Sequence, residues 1–417
     1  MATFQLDDID AVTDAFFKGF GKDEAWRDFA RAALALPSWY EEGLDPFSAA
    51  YAEQQHRLWQ AIAGAGRDYD ADLDEVAVET TPDVVRMPGY YKYRHPGAVA
   101  QAGEHIRAAG NILVHSNVQP GQWALEYGAG YGLIALDFAR LGVNVDTVDI
   151  SPVFCNFVRA QAEFFRVPLT PFPGRFGDGP RPGRKYDLIY FFESLHHCTN
   201  LTHLLGRLKA LLAPDGRVII AGEPITPAEK PAIPYPWGMR LDSETVAVVR
   251  RRRWFELGFT EAYLVELFTR HGFVATKMPG FSNFDSGYIF RHRPGTIEMA
   301  KHWLPDAAAR AWYGADTTGR WTRGRAELAI DTTPSFSALE VTLRNHHAVE
   351  QPVALDYGGR VERVVMPPRT TRTVSLPAGT RTPRLVIDCE PKVPAATGGN
   401  GDPRALGIFV MLVTYRP

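Results

Sequence analysis

Two adjacent histidines, His196 and His197, follow the run Phe191-Phe192-Glu193-Ser194-Leu195. Imidazole titrates near neutral pH, so either ring could take the proton of a hydroxyl nucleophile, which is too weak an acid to lose it unaided. The same side chains can instead shape a pocket or bond to backbone, and the sequence does not choose between His196 and His197. Glu193, three positions before His196, is the third candidate for proton chemistry.

A second constellation lies upstream. Ala124-Leu125-Glu126-Tyr127 runs into Gly128-x-Gly130-x-Gly132, and a helical pattern opens behind it over 132–141. Glycines let the backbone turn tightly and approach a ligand, while a helix start offers free N–H groups. A nicotinamide-dinucleotide loop places its third glycine three residues after the second. Here that position is Leu133, so the dinucleotide fingerprint fails. Seventeen residues beyond Gly132 a second apolar run ends at Asp149. A carboxylate there can accept both hydrogen bonds of a ribose diol. Asp178, in Arg175-Phe176-Gly177-Asp178-Gly179, stands where the next strand should end and could meet an adenine amino group.

These residues need strands and helices to hold them. Apolar runs at 123–127, 143–149, 186–192 and 217–222 alternate with helical patterns, which predicts an α/β domain with a mainly parallel sheet. Residues 260–270 put Tyr263, Leu264, Leu267 and Phe268 on one helical face before Gly272. Residues 1–90 carry 18 Asp and Glu against 7 Lys and Arg, with helical spacing over 10–20 and 23–36; the acids there read as a solvated helical face. Beyond residue 310, alternation such as Leu339-Glu340-Val341-Thr342-Leu343 recurs at 361–366, 371–376, 384–388 and 406–415 between Pro- and Gly-rich turns, the pattern of an all-β sandwich. The expected division is a helical cap over 1–94, an α/β domain over 95–305 with an insertion at 223–257, and a β-sandwich over 306–417.

Glu126-x-Gly128-x-Gly130-x-Gly132, Asp149, Tyr186-Asp187-Leu188-Ile189 and Leu212-x-Pro214-x-Gly216-x-Val218 occur in the order found in class I S-adenosylmethionine-dependent methyltransferases, and residues 95–292 resemble that family. The resemblance implies a Rossmann-like seven-stranded sheet with S-adenosylmethionine across its carboxyl edge and S-adenosylhomocysteine as product. It places Glu126, Gly128, Gly130, Gly132, Asp149, Ile150 and Asp178 at the donor. Tyr93, in Pro88-Gly89-Tyr90-Tyr91-Lys92-Tyr93, could cover the sulfonium. His196, His197 and Glu193 are then the expected catalytic residues. Glu193-x-x-His196-His197 is also similar to the Glu-x-x-Glu-His metal site of ubiquinone-pathway O-methyltransferases, with Glu223 as an added ligand. The middle carboxylate is lost to His196, which weakens a magnesium site, and no metal is expected.

The insertion at 223–257 holds four prolines before Tyr235-Pro236-Trp237, and reads as a lid whose aromatics could stack on a sugar ring. Arg250 to Arg253 could clamp a phosphate or contact the acidic N-terminal segment. The tail, with Ala311-Trp312-Tyr313-Gly314, Gly319-Arg320-Trp321-Thr322 and Asp402-Pro403-Arg404-Ala405-Leu406-Gly407, is similar to β-sandwich modules of bacterial surface-polysaccharide enzymes. Trp312, Trp321 and Arg404 would then meet sugars, or the tryptophans would be core. The leading expectation is methylation of a sugar or glycan hydroxyl, with or without a phosphate link, in surface-polysaccharide biosynthesis. The alternatives are a small natural-product hydroxyl as acceptor, or a non-catalytic glycan-binding accessory protein that keeps the donor site.

Composition bounds the rest. A net charge of −3 argues against a nucleic-acid binder, and Cys155, Cys198 and Cys389 form no CxxC pair for a thiolate metal site. Neither a signal peptide nor a run of roughly 18 apolar residues is evident, so a cytoplasmic protein is expected.

Overall fold

The computed structural model describes residues 2–19, 32–75, 86–92, 94, 96–226, 233–282, 284–292, 295–302, 304, 306–330, 336–378, 382–397 and 402–416. It divides into two compact units, one of Met1–Tyr263 with Lys277–Ile289, the other of Leu264–Thr276 with Phe290–Pro417. No helix among the described residues is long and apolar enough to cross a membrane.

The first unit opens with strand β1 (Ala2–Phe4), helix α1 (Ile9–Gly19), strand β2 (Ala32–Leu34) and helix α2 (Ala49–Ala63), followed by the short helix α3 (Ala71–Asp74) and the long helix α4 (Ala98–Ser116). The expected helix over 23–36 is corrected here. Residues 20–31 lie outside the described residues, and Ala32–Leu34 is a strand paired in parallel with Ala2–Phe4. Ala33 and Leu34 are buried and the Leu34 N–H donates to the Leu241 carbonyl, so local helical spacing yields to a ladder with distant partners. Helix α2 buries Tyr51, Leu58, Trp59 and Ile62, and its start is fixed by Ser48, whose hydroxyl accepts from the Tyr51 N–H.

The sheet that follows carries the chemistry. Strands β3 (Trp123–Tyr127), β4 (Asn144–Asp149), β5 (Leu169–Pro173), β6 (Tyr186–Phe192) and β7 (Leu212–Ala221) alternate with helices α5 (Leu133–Arg140), α6 (Pro152–Phe165) and α7 (Leu201–Leu211). The β3–β4, β3–β6, β4–β5 and β6–β7 pairs are parallel. Between β7 and the last sheet strands come β8 (Trp237–Met239), α8 (Ser243–Arg252), β9 (Leu257–Phe259) and α9 (Glu261–Arg270). Strands β10 (Phe273–Met278) and β11 (Gly287–His292) complete the seven-stranded order β10-β11-β7-β6-β3-β4-β5. The order reverses between β3 and β6, the switch point at which open α/β sheets bind ligands. This is the Rossmann-like methyltransferase arrangement that the sequence leads one to expect.

The second unit contains β12 (Thr296–Glu298), β13 (Arg320–Trp321), β14 (Ala326–Ala329), β15 (Ala338–Arg344), β16 (Gln351–Tyr357), β17 (Arg360–Met366), β18 (Thr371–Pro377), β19 (Arg384–Asp388) and β20 (Phe409–Arg416). They form a β12-β20-β15-β18 sheet, with β13 on β20, and a β14-β19-β16-β17 sheet. The described pairings in both are antiparallel. Leu339, Val341 and Leu343 of one sheet and Val353, Leu355 and Ile387 of the other enter one core, as alternating strands in a sandwich do.

Candidate active site

Loops at the carboxyl ends of β3, β4, β5 and β6 line a cavity of about 510 Å³. At the first, Gly128, Gly130 and Gly132 all have positive φ (67°, 50° and 63°), the left-handed region that glycine enters without a side-chain penalty. A Cβ on Gly128 would stand 2.6 Å from Ser194 Cβ, and one on Gly132 would stand 2.7 Å from Val158 Cγ2. At Gly130 a Cβ would meet nothing within 4 Å, and Gly130 lines the cavity. The third glycine therefore serves packing, the first packs on Ser194 at the cavity's edge, and the second leaves backbone bare for a ligand.

Asp149 ends β4 and lines the cavity. Its Oδ2 accepts from the Gly130 N–H at 2.9 Å and its Oδ1 from the Ser151 N–H at 2.8 Å. Burial pushes its carboxyl up while these two N–H groups pull it back, with a net rise. Each oxygen keeps lone-pair capacity for a diol. Ile150 and Asp178 line the same space; Asp178 Oδ2 accepts from the Arg175 N–H at 2.7 Å and so closes its own turn. Glu126 is buried, and burial raises its carboxyl to about 8, so it sits near neutral pH as an acid. Glu126 and Gly132 do not line the cavity. Tyr93 lies outside the described residues.

At the end of β6 the three expected proton-handling residues part company. Glu193 lines the cavity at φ 51°, a strained conformation for a residue with a side chain, and its Oε2 lies 3.5 Å from His105 Nε2. His196 is buried behind the cavity wall. Glu223, at the end of β7, accepts from the backbone N–H groups of Ser194, Leu195 and His196 at 2.9 to 3.0 Å and from His196 Nδ1 at 2.8 Å. Glu256 Oε2 lies 3.7 Å from His196 Nε2 and 3.4 Å from Arg240 Nη2. Burial disfavours the imidazolium, yet the Glu223 and Glu256 charges outweigh it and raise the His196 pKa. Both carboxylates are held low against their own burial, Glu223 chiefly by His196 and Glu256 by the two imidazoles beside it and the Arg240 guanidinium. The two carboxylates thus favour the charged form of His196 and tie both of its ring nitrogens into a buried network.

His197 differs on every count. It lines the cavity, and its Nδ1 donates to the Phe255 carbonyl at 3.1 Å. A carbonyl can only accept, so the ring lone pair stands at Nε2. Burial, then the neighbouring His196 charge, push its pKa down to about 4. At neutral pH it is therefore uncharged, with its lone pair on Nε2. His196, His197 and Glu256 each bring an atom within 4.8 Å of the others, a spacing that admits a metal ion. With His196 committed to Glu223 and the Arg240 guanidinium already on Glu256, this trio is read as an ion-pair network. Glu193, the residue around which a metal site was considered, is not part of it.

Several cavity residues carry no signal in the sequence. Tyr69 and Glu75 come from the acidic N-terminal segment, and Trp254 follows the arginine run. The acids there are not simply solvated: Asp74 is buried against Arg67 at 2.6 Å, Asp10 takes the Arg250 guanidinium at 2.8 Å, and Glu75 accepts from the Tyr69 hydroxyl and the Phe255 N–H, each at 2.8 Å. Arg250 is thereby occupied by the acidic segment. Trp237 is buried, donates its indole N–H to the Pro46 carbonyl at 2.8 Å and stacks on Tyr263, so it cannot present a face to a sugar. In the β unit Trp312 is core, while Arg404 pairs with Asp402 at 2.6 Å and lies over Tyr313.

Residues 105–277, less than half of the chain, match a family described as a methyltransferase domain. Together with the seven-strand order and the glycine–aspartate cradle, this decides the matter. Residues 105–277 form a class I S-adenosylmethionine-dependent methyltransferase domain. A ubiquinone biosynthesis O-methyltransferase of Rhodopseudomonas palustris (strain BisA53) is 28% identical to this chain over 97 residues, which are 23% of the chain and 38% of that protein. A demethylmenaquinone methyltransferase of Tropheryma whipplei (strain Twist) is 30% identical over 114 residues, 27% of the chain and 46% of that protein. The chain thus spans less than half the length of these curated relatives. Among solved structures, the 1,6-didemethyltoxoflavin-N1-methyltransferase of Burkholderia thailandensis, with its namesake ligand and S-adenosylhomocysteine bound, is 20% identical, covers 52% of this chain and 93% of that one, and superposes with a TM-score of 0.35.

Proposed function

We propose that the protein is an O-methyltransferase of a small aromatic hydroxyl. The observation that carries this reading is the presence of a neutral His197, held through Nδ1 by the Phe255 carbonyl, in the lining of the same cavity as Gly130 and Asp149. S-adenosylmethionine supplies an electrophilic methyl group on a sulfonium. Asp149 would hold the ribose hydroxyls, Gly128 and Gly130 would admit the donor's chain against bare backbone, Ile150 and Asp178 would border the adenine, and Glu126 would support the loop from behind. Glu193, at the cavity wall, would face the acceptor or the donor rather than assist His196.

A general base works best with a pKa near the operating pH, so a base held near 4 is weak and favours a hydroxyl more acidic than an alkanol's, as a phenol's is. Tyr69, Phe176 and Trp254 give the cavity aromatic walls that favour a flat ring. The name of the first relative above, a ubiquinone biosynthesis O-methyltransferase, agrees with methylation at oxygen. A sugar hydroxyl is the weaker reading, because Trp237 and Trp312, two of the side chains it rested on, are buried, although Tyr235 is exposed and Trp321 only half-buried.

The test is S-adenosylhomocysteine formation by the purified chain with a catechol and a hydroquinone in one series and nucleotide sugars in another. Product with the phenols supports this reading. Product only with the sugars restores the glycan acceptor, and product with neither, while S-adenosylhomocysteine still binds, assigns a non-catalytic accessory role.

A further inference from the structure

The acceptor side of the cavity contains a carboxyl group that neither the motif nor the family match reaches. Glu75 closes α3 and lines the cavity beside His197. Its Oε1 receives two hydrogen bonds, from the Tyr69 hydroxyl and the Phe255 N–H, and its Oε2 faces His197 Nδ1 at 3.5 Å. Phe255 therefore holds both side chains with one residue's backbone: its N–H takes Glu75 and its carbonyl takes His197. That double grip fixes the imidazole tautomer and sets the carboxyl next to the nitrogen that would become positive when Nε2 gains a proton. A general base oriented by a third group is the arrangement that nucleophile activation needs.

We propose that Glu75 and His197 act as a carboxylate–imidazole pair, His197 Nε2 taking the proton of the acceptor hydroxyl and Glu75, a positioning residue, stabilising the imidazolium through Nδ1. The proposal rests on the methyltransferase reading above. In the step, the acceptor O–H bond breaks and its proton goes to Nε2. An oxygen electron pair forms the new bond to the methyl carbon, and the carbon–sulfur pair stays on sulfur, leaving the neutral thioether. The imidazolium then returns its proton to solvent.

The charged and titratable groups around the pair all bear on it. Burial, then His196, lowers the His197 pKa, while Glu223 and Glu256 raise that of His196; Arg240 offsets Glu256; Tyr69, Asp74 and Cys198 flank Glu75 and its tyrosine. Burial raises the Glu75 carboxyl to about 7 despite its two donors. Below that pH it is neutral and cannot support the imidazolium. Above it the carboxylate forms and His197 becomes the stronger base.

The experiment is a nitrogen-15 NMR titration of histidine-labelled full-length chain between pH 5 and 9, with His197 assigned by loss of its signals in His197→Gln. The expected result is a His197 Nδ1-protonated tautomer whose ring nitrogens shift with an inflection near pH 7. That inflection vanishes in Glu75→Gln and returns, displaced, in Glu75→Asp. An inflection that survives unchanged in Glu75→Gln, a wild-type chain with none, or the opposite tautomer overturns the proposal. A phenol that yields product in the panel above adds a second readout: Glu75→Gln lowers kcat about tenfold or more while S-adenosylhomocysteine affinity stays within about twofold. Equal kcat and equal pH profile in the two proteins would also overturn it. Because the titration needs no turnover, failure of the methyltransferase reading would show as absent product and absent S-adenosylhomocysteine binding, independently of the His197 inflection.

Discussion

At the scale of single residues, Asp149 makes the sharpest prediction. It faces two backbone N–H groups, and Asp149→Asn would turn an amide NH2 or a weaker carbonyl toward them while removing the charge a diol donates to. S-adenosylhomocysteine affinity should fall about tenfold or more in calorimetry, since hydrogen bonds to a charged group are worth roughly 1.5–3 kcal/mol. Unchanged affinity would remove the ribose assignment. His197 and Glu75 predict opposite pH dependences of stability. His197 has its folded pKa lowered to about 4 from an ordinary 6.5, so as pH falls through that window the unfolded chain takes a proton the folded chain refuses, and stability drops. Glu75 is raised to about 7 from an ordinary 4.5, so the unfolded chain loses its proton first as pH rises, and stability drops in that direction. Urea midpoints should therefore fall less between pH 6.5 and 5 in His197→Gln than in the wild type. In Glu75→Gln they should fall less between pH 5 and 7.

At the scale of elements, the turn after β3 separates fold from ligand. Gly128→Ala forces a Cβ to 2.6 Å from Ser194 at a positive φ and should cost roughly 1–3 kcal/mol of stability. Gly130→Ala meets no wall, so its cost is the left-handed backbone alone, about 1–2 kcal/mol, but its methyl occupies the cavity. Thermal melts with and without S-adenosylhomocysteine check the pair: the first variant should melt lower yet still gain from ligand, the second should lose most of the ligand gain. These strands and this turn were legible because their information is local: buried parallel strands read as apolar runs, and glycine at alternate positions is a backbone requirement. The division of labour between His196 and His197 was not. It is decided by Glu256, Arg240 and Phe255 across the fold, and by a carboxylate from α3 within a segment whose acids look like an ordinary solvated face. Trp237 misled for the same reason, since its burial against Tyr51 and Tyr263 depends on α2 and α9 and not on the proline-rich run around it.

For the molecule as a whole, the β unit has a core of its own and predicts its own outcome. Ile387→Ala deletes a fully buried side chain between the two antiparallel sheets and should destabilise by roughly 2–5 kcal/mol in urea. S-adenosylhomocysteine affinity should remain within about twofold if the donor site is complete in the first unit; a large loss would show that it is not. Within that first unit, the residues proposed for the donor come from 126–178, whereas Tyr69, Glu75 and Trp254 reach the cavity from separate stretches of chain. A methyltransferase built this way can exchange its clientele without relearning its currency. Randomising Tyr69 and Trp254 while leaving the β3 and β4 loops untouched is accordingly the most economical starting library for retargeting the enzyme to new acceptors.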